Sequence, residues 1–125
     1  MVLLMKFMSI HKKWSNYTRT SAVAEPDTYG VYEIGDFDTG AILYIGEGKI
    51  RSGLLLHCPD GGSKKHISIF GTSIVGTYGY RFEVTSNKEK AKQRQKELLA
   101  EFKSTYRSLP RFNQKKERSA TAILF

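Results

Sequence analysis

Cysteine is almost missing from this chain of 125 residues. Its single thiol, Cys58, excludes an internal disulfide and a cysteine-built zinc site. His57 precedes it, but adjacent residues on a helix point about 100° apart, so the two are poorly placed as nucleophile and base. Long apolar runs are also missing, and with them any segment of transmembrane length. Met1–Ile10 is apolar apart from Lys6, and Ala22-Val23-Ala24 has the form of a leader cleavage site. The charged and polar His11–Thr20 lies between them, which is the wrong order for a secretory leader. A cytoplasmic protein with no membrane partner is expected. Gly61-Gly62-Ser63 lacks a leading strand and a closing Gly-Lys-Ser/Thr, so no phosphate loop is expected there.

Acidic residues are scarce beside basic ones: twelve Asp/Glu against twenty Lys/Arg, for a net charge of +8. The surplus is local. Asn87–Arg118 holds eleven Lys/Arg and four Glu, residues 1–86 hold nine Lys/Arg and eight Asp/Glu, and the last seven residues are uncharged. Such a segment suits an anionic partner, nucleic acid first, through Lys92, Lys96, Lys103 and Arg111. Lys49, Arg51, Lys64 and Lys65 are further candidates for contact with a phosphate backbone. A solvated helix face that only aids solubility is the plainer alternative. Trp14 and Tyr17 stand among Lys12, Lys13 and Arg19, a mixture able to stack bases. Capping the edge of the core is the role preferred for both rings.

The length allows one domain with a modest core. Residues 28–113 are read as that domain, 1–27 as an extension packed on it and 114–125 as a tail. Tyr29–Ile34 and Ala41–Ile45 have strand composition and are joined by a loop dense in Gly and Asp. Ile50–His57 reads as a short amphipathic helix stopped before Pro59. Tyr78–Val84 alternates as a third strand with one buried face. Thr85-Ser86-Asn87 then ends the strand and offers N-cap side chains for a helix over about Lys88–Arg107. At 100° per residue from Leu98, the apolar stripe Ala91, Leu98, Leu99, Phe102 and Tyr106 centres at roughly 50°, with Gln95 in its middle and Glu97 and Glu101 outside. His66–Val75 is left as strand or loop, Met1–Ile10 as strand or short helix, and the apolar end of the tail as a possible edge strand. The fold class is α/β (α+β): a small, mainly antiparallel, three-stranded sheet flanked by helices.

Each strand of the hairpin carries a tyrosine beside a glycine: Gly30-Val31-Tyr32, then Tyr44-Ile45-Gly46. Further on come Leu98-Leu99 and Pro110-x-x-Asn113. Over about Thr28–Asn113 this order resembles the GIY-YIG nuclease superfamily. The resemblance implies a site made of two tyrosines, an arginine, a histidine or tyrosine, a glutamate that holds one divalent metal ion, and a late asparagine. Tyr32, Tyr44, His57 and Asn113 match those positions. Gly53 stands at the arginine position and Gln95 at the glutamate position, with Arg51 or Lys49 as possible substitutes for the arginine. An amide lacks the charge that holds a hard cation.

The function expected is nucleic-acid binding on a GIY-YIG-like fold without efficient phosphodiester hydrolysis, DNA ahead of RNA, with no cofactor and no metal. One alternative is a divergent endonuclease using Mg²⁺ or Mn²⁺. Another is a basic module that binds an acidic protein. Oligomeric state is left open.

Overall fold

The structure is a computed structural model, and it describes residues 10–58, 66–69, 72–75 and 77–114. In chain order these form β1 (Ser15–Asn16), α1 (Arg19–Val23), β2 (Tyr29–Asp36), β3 (Ile42–Lys49), α2 (Ile50–Leu56), β4 (His66–Ile69), β5 (Thr72–Val75), β6 (Tyr78–Val84) and α3 (Lys88–Tyr106). The fold is α+β, with an open antiparallel sheet in the order β1-β6-β2-β3 and a separate β4-β5 hairpin. The expected elements at 1–9 and 115–125, and the basic pair Lys64 and Lys65, lie outside the described residues.

Three of the four sheet strands are the expected ones. The fourth, β1, is two residues paired with the free edge of β6, too short for any periodicity to mark it. The β2–β3 turn is built by Asp36, whose carboxylate accepts the backbone N–H groups of Asp38 and Thr39, and by Gly40 at φ 77. The register jumps between Ile34 opposite Tyr44 and Gly35 opposite Ile42, which leaves Leu43 as an extra residue. The bulge puts Leu43 and Tyr44 in one core and Ile42 in the other.

Helices cover both faces of the sheet. Tyr32, Ile34, Tyr44, Tyr80 and Phe82 pack with Tyr17, Ala22, Ile50 and Leu54 of the α1–α2 side. Val31 and Ile45 pack with Leu98 of α3, and with Ile10. Tyr17 belongs to this packing, as preferred: it is buried, and its hydroxyl donates to the Leu54 carbonyl at 2.5 Å. Trp14 lies under the Arg81 guanidinium, 4.4 Å from the ring centroid. The N-terminus of α2 is tied to the segment before β2. Ile50 N–H donates to Thr28 O, Arg51 N–H to Pro26 O, and Asp27 accepts from the backbone and hydroxyl of Ser52.

The second face of β6 departs from expectation, because it is covered as well. Arg81 meets Glu33 at 2.6 Å, and Glu83 receives two bonds from Arg94 of α3 at 2.8 and 3.1 Å. Arg94 also reaches Glu97 at 3.3 Å. α3 is turned so that Arg94 faces the sheet. Arg94 is only 12% exposed, one Glu101 oxygen is fully buried, and Tyr106 is 65% exposed. The inward stripe therefore centres near Leu98 itself, turned by roughly 50° from the position the apolar residues alone suggest. Asn87 caps the start of α3 by accepting from Lys90 N–H, and Arg107 ends it in the left-handed region at φ 64.

Candidate functional site

The four matched residues, Tyr32, Tyr44, His57 and Asn113, and Gln95 at the glutamate position come from five parts of the chain and gather on Tyr44-Ile45-Gly46 of β3. Tyr32 stands opposite Gly46 in the β2–β3 ladder, and its ring lies between two glycines. A Cβ on Gly46 would come 2.5 Å from Tyr32 Cζ, and a Cβ on Gly53 would come 2.6 Å from Tyr32 Oη. The Tyr44 ring is 6.3 Å from that of Tyr32 and meets His57 edge-on at 5.3 Å. His57 sits buried just past the end of α2.

Gln95 and Asn113 act on the backbone of the same triplet. Because β3 is the sheet edge, the outward N–H and C=O of Ile45 have no strand partner. Asn113 supplies both: its Oδ1 accepts from Ile45 N–H at 2.9 Å, and its Nδ2 donates to Ile45 O at 3.1 Å. Gln95 Nε2 donates to the same carbonyl at 3.1 Å. The turn at Pro110 aims Asn113, since Pro110 O accepts the N–H groups of Asn113 and Gln114. Gln95 thus points at the triplet, as its place in the stripe suggests, and its amide caps an edge peptide.

Burial sets the chemistry of the phenols. It pushes Tyr44 up to about 12, with the charge of Glu47 adding to the shift. Tyr32 is raised further, by burial first and then by Tyr44 and Glu47. Both are protonated hydrogen-bond donors at neutral pH, opposite to the tuning a general base needs. Glu47 is the residue that the family pattern does not single out. It follows the triplet directly and stands opposite Val31. Its adjacency to Gly46 was the available signal. Opposite Val31, Glu47 leaves the sheet on the α3 face, so an imidazole and two phenols remain, a poor cage for a divalent ion that wants several oxygens. Among the described residues no three His, Cys, Asp or Glu come together as a metal site. The residues present do not fit the metal ion that the resemblance implies.

The remaining cations fall in two groups. Arg51 directs Nε to Glu25 O at 2.8 Å, and Lys49 lies 5.7 Å over the Tyr29 ring. Lys92, Lys96 and Lys103 are exposed on α3, and Arg111 is exposed beside Phe112. Taking Leu98 as zero, the three lysines fall between roughly 120° and 160°, on the side turned away from the buried stripe. Among the described residues no helix is long and apolar enough to cross a membrane.

No curated protein and no solved structure matches the chain. A family model matches residues 8–105, a stretch that takes in Tyr32, Tyr44, His57 and Gln95 and stops short of Asn113. That match covers most of the sequence, and the chain belongs to the family described as Domain of unknown function (DUF7508).

Proposed function

We propose that this protein is a non-hydrolytic nucleic-acid-binding domain with a GIY-YIG-like arrangement, taking DNA in preference to RNA. The observation that carries the reading is the row of Lys92, Lys96 and Lys103 on the outer side of α3. It spans about 16 Å at 1.5 Å per residue, a length over which a duplex presents several phosphates. Of the helix's three acids, Glu97 is bonded to Arg94 and one Glu101 oxygen is buried, which leaves Glu89 of the first turn as the acid beside the row. The gathering of Tyr32, Tyr44, His57, Gln95 and Asn113 on one triplet supports the resemblance, and the raised phenols support binding without hydrolysis.

The test is fluorescence anisotropy on labelled duplex, single-stranded and branched DNA, and on RNA, across salt. Affinity should fall steeply with salt and vary little with sequence. The triple change Lys92→Glu, Lys96→Glu and Lys103→Glu should flatten the slope of log K against log salt by about 2.7, from roughly 0.9 per phosphate contact. Salt-independent affinity, or an unchanged slope in the triple variant, refutes the reading. Selective binding of an acidic protein that a generic duplex cannot displace would favour the interaction module.

A divergent endonuclease is a second reading, favoured by the meeting of Tyr32, Tyr44 and His57, and it needs Glu47 to reach them round the edge of the sheet. It requires Mg²⁺- or Mn²⁺-dependent cleavage by the purified protein that Glu47→Gln and Tyr32→Phe each abolish. Absence of cleavage on plasmid, single-stranded and branched substrates removes it.

A further inference from the structure

On the α3 face of the sheet, away from Tyr32 and Tyr44, lies a cavity of about 650 Å³. It opens between the C-terminal half of α3, the β2–β3 turn and the segment 108–114. That volume is in the range of small-molecule sites. Ile42, Ile45, Leu98 and Leu109 give it apolar walls. The Glu33–Arg81 pair lines it as well, with both charges already committed: Arg81 Nε is on Glu33 at 2.6 Å, its Nη1 on Lys12 O at 3.3 Å, and its plane on Trp14.

Glu101 is different. It lines the same cavity, and its Oε1 is buried with no hydrogen-bond partner. No donor among the described residues answers the charge of Glu101 on its buried side, so a positively charged group that reaches the carboxylate from the cavity meets it best. Beside it on the wall stand Phe102 and Tyr106, their ring centroids 4.6 Å apart. Aromatic faces next to an acid are the surroundings that alkylammonium groups select, through attraction to the ring quadrupole.

We infer that this cavity binds a small organic cation, an alkylammonium on an apolar body, with its charge at Glu101 and against Phe102 and Tyr106, and its apolar part among Ile42, Ile45 and Leu98. Arg111 at the rim disfavours a second positive charge at the mouth, so a monocation is the fitting class. This inference does not depend on the nucleic-acid reading.

The test uses hexyltrimethylammonium, hexylamine, hexanol and hexanoate as probes of the whole protein, by calorimetry and by ¹⁵N chemical-shift mapping. Both cations should bind, shifting amides of Leu98–Tyr106 and of Ala41–Ile45, and should bind at least about tenfold tighter than hexanol, the scale of a charge-assisted contact. Glu101→Gln should remove that preference while leaving the weak binding of hexanol. Phe102→Leu should weaken the quaternary ammonium more than the primary amine. Two results overturn the inference: equal affinity for cation and alcohol, or cation binding unchanged in Glu101→Gln. Shifts that map to the Tyr32–Tyr44 side would overturn the location. A folded Glu101→Gln that is more stable than wild type and binds no probe, with wild type also silent, would mean that the buried oxygen is a structural cost and no site.

Discussion

Gly53 stands where the resemblance places an arginine, and the structure gives that glycine a job of its own. The three atoms nearest a Cβ built on Gly53 all belong to Tyr32, at 2.6, 2.7 and 2.8 Å. Tyr32 is only 3% exposed and is held from the other side by Gly46, so its ring has little room to retreat. Gly53→Ala should therefore carry an overpacking cost of about 1–3 kcal/mol. Against it stands the gain of about 1 kcal/mol that alanine brings to a helix position. A net loss of up to about 2 kcal/mol is expected. With Tyr32→Ala the obstruction is gone, and the same Gly53→Ala should stabilise by about 0.5–1 kcal/mol. The coupling between the two positions should equal the overpacking cost, about 1–3 kcal/mol, in a double-mutant cycle. Urea denaturation of the four proteins, with constant m-values, measures it. Tyr32→Phe should not relieve the clash, since two of the three contacts are to ring carbons. If Gly53→Ala stabilises the wild-type protein, or has the same effect in both backgrounds, the glycine-bracketed ring is wrong. By the same geometry Gly53→Arg cannot restore a family-like site while Tyr32 keeps its place. Pairing it with Gln95→Glu should yield a destabilised protein with no recovered activity.

Further expectations follow from the edge cap, the buried ion pair and the phenols. Asn113→Ala should cost about 1–3 kcal/mol by orphaning the Ile45 N–H, while Gln95 still serves the carbonyl. Asn113→Asp should cost more, because a carboxylate then faces the Ile45 carbonyl, and Gln95→Ala should cost least, since Asn113 still serves that oxygen. Thermal or urea melts give the ranking, and any other order refutes the cap. Arg81→Ala should lose about 3–5 kcal/mol by leaving Glu33 charged and unpaired in the core, whereas the double change Glu33→Leu with Arg81→Met should lose far less. For Tyr44, burial raises the folded phenol from its ordinary value of 10.0 to about 12. The folded state then holds a proton that the unfolded chain has released, so stability contributed by this group is full below pH 10 and is lost as pH rises toward about 12. Denaturation at pH 9, 10 and 11 should show that fall, and Tyr44→Phe should make it shallower.

Much of the architecture was legible because local pattern and tertiary demand agree. The alternation of Tyr78–Val84 and the cap at Asn87 gave element limits that the structure keeps almost unchanged. The gathering of the site was legible only as a set of names. Nothing local in Asn113 says that its amide closes the edge of β3 across 68 residues, and nothing in Gln95 says that it shares the same carbonyl. The one structural element that escaped in the sheet, β1, is below the length at which periodicity exists.

The rotation of α3 shows why the rest was hidden. Apolar residues alone set the expected stripe, and they include Tyr106, which the structure leaves in solvent beside Phe102. The true inner face includes Arg94, which can be buried because Glu83 on β6 meets its guanidinium with two oxygens. A hydropathy pattern prices an arginine as exposed whatever stands opposite it, so it cannot see a pair formed between a strand and a helix eleven residues apart. The rotation has two consequences that act together. It carries Glu101 inward, where an oxygen lacks a donor, and it leaves Lys92, Lys96 and Lys103 on the side of the helix farthest from the sheet. Breaking the Arg94 pair should therefore disturb both surfaces at once. Arg94→Leu is expected to let α3 settle toward its apolar stripe, with amide shifts along the whole helix and with Glu101 returned toward solvent. Amide shifts confined to the neighbours of residue 94 would show that packing of Leu98 and Ala91 alone fixes the helix, and that the ion pair follows the rotation without causing it.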